Sequence, residues 1–294
     1  MTEVILERAP ETVDSIQAKH SMADGTTNPA TLTRRLICKL REDPTKFVYP
    51  LCEEFPPFRN VPIEDLLDCS DITNGNFQVS HKDDGMQCIH NIINPVPYHP
   101  YDTDVNLAEL ANLEYFQGVP NIVQPVGIVV FRNPYMTSRR DQPLVFHGIL
   151  MHYYYGGPLK GILADDKVAE YDWVRWGSKL RMLRCACIQW MHTVEKTHLD
   201  IKLSNVVLDA EGNAVLIDIS GIGDITYEWL APELHDILQS PADVPFERRR
   251  WNDTRAFGNL LPGIAAHAGS SLYAETVKLI ASWLLAEDTQ TRMT

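Results

Sequence analysis

The chain has 294 residues, 45% of them hydrophobic and 22% charged, the balance of a soluble globular protein with room for a sizeable core. Its formal net charge of −13 argues against nucleic acid or an anionic membrane as a main partner. No apolar run approaches the roughly 20 residues of a membrane-spanning helix, and Met1 to Asp14 lacks the apolar stretch of a signal peptide. Cys38, Cys52, Cys69, Cys88, Cys185 and Cys187 show neither C-x-x-C nor zinc spacing, so free thiols in the cytoplasm or nucleus are expected.

In chain order, Asn28 and Pro29 read as the start of a helix, with Leu32, Leu36, Ile37 and Leu40 as its apolar stripe. Residues Glu53 to Pro62 are Pro-rich and read as an extended linker. From Ile63 to Ile93 the pattern is β, with a turn at Asp83-Asp84-Gly85. Asp104 is placed to cap a helix carrying Leu107, Leu110, Leu113 and Phe116. Arg132 to Gln142 reads as a loop between strands, and Trp176 to Val194 as a long helix with His192 in the core. Glu247 to Trp251 reads as a solvated charged loop, ahead of helices over Phe257 to Ala268 and Thr276 to Leu285.

The residues that carry chemistry lie at His198-Leu199-Asp200-Ile201-Lys202-Leu203-Ser204-Asn205, followed by a hairpin pattern and Asp218. Phosphoryl transfer needs a carboxylate beside the attacking hydroxyl, a cation on the moving phosphoryl group, and oxygen ligands for Mg²⁺. Asp200, Lys202, Asn205 and Asp218 are those residue types in that order. The stretch resembles the catalytic loop H-R-D-x-K-x-x-N of the eukaryotic protein kinase family and its metal-binding aspartate. The likeness runs on through Ala231-Pro232-Glu233, Asp253 to Gly258 and Leu285 to Thr294, and upstream through Trp190 to His198, Leu150 to Leu159 and Pro120 to Val123.

That resemblance implies an α+β, two-lobed fold. Residues 1–62 would be an N-terminal extension, 63–152 a small antiparallel β lobe with one helix, and 153–294 a mainly helical lobe. It implies ATP and Mg²⁺ as cofactors and a protein or small-molecule hydroxyl as acceptor, of the Ser/Thr type. Asp200 would be the base and Lys202 the γ-phosphate cation, with Asn205 and Asp218 close together on the metal. Gly75, Cys88, His90, Glu109, Met151, Tyr154 and Val207 would line the nucleotide site. Glu233 would pair with Arg292.

Four departures bear on activity. Gln87-Cys88-Ile89-His90 puts His90 where the family has the lysine that pairs with Glu109, with Lys82 as an alternative cation. Thr73 to Val79 keeps only Gly75 of a glycine-rich loop, and backbone amides approach phosphates closely only where side chains are absent. Asp218-Ile219-Ser220 replaces D-F-G, with Ile219, Leu113 and His198 in an apolar spine. Leu199 replaces the arginine that receives an activation-loop phosphate, and the segment from Asp218 to Glu233 is short. Control by loop phosphorylation is therefore not expected, and any activity would be constitutive or controlled by a regulatory protein partner. Two classes stay open: a kinase-like phosphotransferase, and a pseudokinase serving as a binding or allosteric module. A kinase scaffold turned to other ATP or small-molecule chemistry is a third.

Overall fold

The computed structural model describes residues 4–8, 36–40, 48–73, 75–93, 100–135, 142–165, 179, 183–222, 226–235, 241–287 and 292. The chain is a mixed α+β structure built on a six-stranded, mainly antiparallel sheet. Its strands are β3 (Asn60–Pro62), β4 (Leu66–Thr73), β5 (Asn76–His81), β6 (Gln87–Ile92), β7 (Pro125–Arg132) and β8 (Leu144–His152), in the order β3-β7-β8-β6-β5-β4. Only β3 runs parallel to its neighbour. Two shorter strands, β1 (Val4–Arg8) and β2 (Leu36–Leu40), pair antiparallel with each other.

Period-2 alternation sorts the sheet into two faces. Ile128, Val130, Ile149 and Met151 join the main core, which also takes Leu110 and Leu113 of helix α1 (Pro100–Tyr115) and Phe116 just after it. The intervening Val129 and Leu150 join Val61, Val79 and Cys88 in a separate cluster on the other face. This partition decides which side chains of β6 reach α1.

The later half is mainly helical. After β9 (Gly157–Pro158) come α2 (Leu159–Ala164), a π-helical turn (Leu183–Ile188) leading into α3 (Gln189–Thr193), α4 (Phe246–His267) and α5 (Leu272–Leu284). The strands β10 (Val206–Leu208) and β11 (Ala214–Leu216) form a tight hairpin, and β9 pairs on its free side. In its turn the Asp209 carboxylate accepts from the Asn213 amide at 2.6 Å. Among the described residues, no helix is long and apolar enough to cross a membrane.

Four expectations change. Leu36, Ile37 and Leu40 lie in a strand, where β-branched and apolar residues pair as well as they would line a helix; Asn28 and Leu32 lie outside the described residues. The supposed linker contributes a 3₁₀ turn (Cys52–Glu54) and then β3, which docks on β7. Helix α1 starts at Pro100, so Asp104 is inside it and not its cap. Glu247 to Trp251 form the first turns of α4. There Arg249 donates to Val244 O at 3.1 Å and to Thr197 Oγ1 at 2.9 Å, and Arg250 pairs with Glu247 at 2.8 Å. Arg249 is taken up by these contacts, while Glu247 and Arg248 stay exposed on the helix.

Candidate functional site

The loop from His198 to Asn205 is pinned from below by α4. The Asp253 carboxylate, fully buried, accepts from the backbone N–H of His198 at 2.9 Å and of Leu199 at 2.8 Å, and meets His192 Nε2 at 3.0 Å. The adjacent Asn252 donates to Leu199 O at 3.3 Å and accepts from Ala231 N at 2.8 Å. These bonds hold Leu199 at φ +66°, a conformation that costs a non-glycine residue free energy. The turn reverses the chain and presents Asp200 beside the β10–β11 hairpin.

Four side chains then converge. Asp200, 5% exposed, pairs with Lys202 Nζ at 2.5 Å and accepts from Asn205 Nδ2 at 3.0 Å. Its other oxygen accepts the Thr226 N–H at 3.2 Å, and Lys202 also donates to Thr226 Oγ1 at 3.0 Å. Asn205 Nδ2 lies 3.3 Å from Asp218 Oδ2, across the hairpin. Asp218 is itself held at φ +61°. His198 closes the base through Nε2 and Ile217 O at 2.9 Å. Ile219, Leu113 and His198 are all buried here.

The expected nucleotide side is arranged differently. Glu109 of α1, 2% exposed, accepts from Asn91 Nδ2 at 3.1 Å. His90 points to the opposite face of β6. There it meets His147 Nδ1 at 3.2 Å, and Cys88 is fully buried in the second cluster. The correction is one residue of register, which in a strand turns every side chain to the other face. Ile89 and Asn91, not Cys88 and His90, face α1. Burial pushes Glu109 up to about 8, with the Asp218 charge adding to it. Burial and His147 bring His90 down to about 3, so it is a neutral imidazole and not a cation for phosphate.

Lys82 does not supply the cation either. It pairs with Asp65 near the start of β4, six residues along β5 from Asn76, the partner of Asn91, which is about 20 Å of strand. Gly75 sits in the β4–β5 turn with its carbonyl accepting from Ile92 N at 2.8 Å. Met151 and Val207 lie in the main core, 7% and 8% exposed. Tyr154 lines a cavity of about 590 Å³ with Gly118, Asn121, Gln124, Asp209 and Val215; its walls share no residue with the Asp200 cluster.

Among the described residues no group of three or more His, Cys, Asp or Glu is set to hold a metal ion. The donor set near Asp218 still suits Mg²⁺. That ion binds through one or two protein oxygens plus substrate phosphates and water, not in an all-protein cage. Asp218 and, after rotation of its amide, Asn205 supply such oxygens. Further away, Arg292 forks onto Glu233, with Nη2 to Oε2 at 3.3 Å and Nη1 on Oε1. Sequence reasoning missed Asn91, Asn112, Thr226 and Asn252; of these only Asn91 had a signal, the alternation of β6 against Glu109. No protein-family model matches the chain, and no curated protein matches it.

Proposed function

We propose that the chain is a divergent, protein-kinase-like phosphotransferase with two lobes, moving the γ-phosphoryl group of ATP to a hydroxyl on a protein or small molecule. One observation carries this: Asp200, Lys202 and Asn205 of one loop and Asp218 after the β10–β11 hairpin meet within hydrogen-bonding reach. Asp200 takes the proton of the attacking hydroxyl, and Thr226 N–H orients its carboxylate. Lys202, already beside Asp200, offers its ammonium to the moving phosphoryl group. Asn205 and Asp218 would hold Mg²⁺, which when bound neutralises charge across the nucleotide phosphates. With Asn91 opposite Glu109 the lobe of the large sheet contributes no lysine there. The phosphate grip then falls on Lys202 and the metal ligands, and ATP binding is strictly metal-dependent. The same Asn91–Glu109 contact favours a second reading, a pseudokinase acting as a binding or allosteric module. The cytoplasm or nucleus fits either.

The test is a melting-midpoint titration with ATP, with and without Mg²⁺, alongside γ-phosphoryl transfer by wild type and Asp200→Asn. The phosphotransferase reading expects a rise only with Mg²⁺, and transfer lost in the variant while the rise is kept. A Mg²⁺-dependent rise without transfer favours the module. No rise under either condition removes ATP from the function altogether.

A further inference from the structure

Helix α1 grips the peptide that follows Asp218 by its backbone carbonyls. Asn112, one turn on from Glu109, donates from Nδ2 to Ile219 O at 2.6 Å and to Ser220 O at 3.1 Å. Asn112 is 6% exposed, so these are bonds without competing water. Its orientation is fixed from the other end. Lys196 Nζ donates to Asn112 Oδ1 at 2.6 Å; an ammonium has no acceptor, so the amide oxygen must face it and the NH₂ must face the two carbonyls. Lys196 is held in turn over the Tyr115 ring, 5.4 Å from its centroid. The chain leaves the grip at Gly221, φ +71°, where an added Cβ would lie 2.7 Å from Thr197 O. No other residue fits that exit.

We propose that Asn112 is a positioning residue: with Lys196 it clamps the Ile219–Ser220 backbone so that the Asp218 carboxylate is held towards Asn205 and Asp200. The proposal rests on the reading of Asp218 as a metal ligand only in its consequence for metal affinity; the clamp itself is independent of it. The clamp holds the segment after Asp218 in one conformation. It gives a physical reason why the site is set by packing against α1 and not by a modification of the loop.

Asn112→Asp is the discriminating variant. It keeps the size and the Lys196 partner but turns an amide donor into a carboxylate facing two carbonyl oxygens. Amide hydrogen exchange over residues 217–222 should accelerate by about tenfold or more, since a buried bond now opens locally; unchanged exchange overturns the clamp. The second readout is Mn²⁺ affinity in the presence of ATP, followed by Mn²⁺ electron paramagnetic resonance well below each melting midpoint. Loss of a group that orients a metal ligand should weaken it about 10–100-fold; equal affinity in variant and wild type overturns the positioning role. If wild type itself binds no Mn²⁺, the metal reading of Asp218 falls, and the exchange experiment still decides the clamp. If Asn112→Asp does not fold, Lys196→Met, which frees the amide to turn, is judged by the same two measurements.

Discussion

Asn91 Nδ2 donates to Glu109 Oε2 at 3.1 Å, and this contact occupies the place where the sequence resemblance puts His90. A neutral amide leaves the Glu109 carboxyl buried without a compensating cation, which is why burial and Asp218 drive its proton affinity up. Asn91→Lys should bring an ammonium to that carboxylate and restore a phosphate-facing charge. ATP affinity should rise about tenfold or more in isothermal titration, the order of one added charge-assisted contact. His90→Lys should not do this. It would put an ammonium beside His147 in a nearly closed site, costing about 3–5 kcal/mol, the penalty of an unpaired buried charge. Equal gains in ATP affinity from both variants would mean that β6 presents His90, not Asn91, to the site.

Stability should depend on pH with opposing slopes. His90 and His147 are depressed from 6.5 to about 3 and about 4 by burial. Below pH 6.5 the unfolded chain binds protons that the folded chain does not, so stability falls as pH drops from 6.5 towards 4. Glu109 is raised from 4.5 to about 8. Above pH 4.5 the folded chain keeps a proton that the unfolded chain loses, so its contribution falls as pH rises towards 8. Each proton is worth about 1.4 kcal/mol per pH unit. With two histidines against one carboxyl, these groups place the maximum near pH 6.5. Urea midpoints from pH 4 to 9 should show it, and Glu109→Gln should flatten the alkaline limb and steepen the acid limb above pH 4.5.

The site was legible where its residues are local. Asp200, Lys202, Asn205 and Asp218 lie within one loop and one hairpin, so loop geometry fixes their relation once the spacing is right. The nucleotide side failed for want of a landmark. Without a lysine to mark the register, Cys88 and His90 fit the pattern as well as Ile89 and Asn91, and only packing against α1 separates them. Asn112 could not be read at all, and Asp253 only as part of a helix, not as the anchor of the loop. Their partners are 107 and 108 residues away for Asn112 and 54 and 55 for Asp253, and single polar residues inside helices carry no local signature. The arginine run of α4 misled for a different reason: its charges suggested a loop, but they lie on a helix, with Arg248 exposed and Arg249 bonded to Val244 and Thr197.

The last prediction concerns the Glu233–Arg292 fork. The Arg292 side chain is fully buried and that of Glu233 is 14% exposed. Besides the carboxylate, the guanidinium donates from Nε to Ala286 O at 2.9 Å and from Nη2 to Glu287 O at 3.4 Å. It therefore ties the chain after α5 to the segment that follows the candidate site. Arg292→Ala strands a carboxylate and two carbonyls, and should cost about 3–5 kcal/mol. Arg292→Lys keeps the charge but cannot make the two-pronged contact while also reaching Ala286 O, and should recover only part of that. Glu233→Gln leaves the guanidinium bonds to the carbonyls in place and should cost less than Arg292→Ala. Urea denaturation of the three variants gives the ranking. An Arg292→Ala midpoint equal to wild type would show that the fork adds nothing to stability in solution.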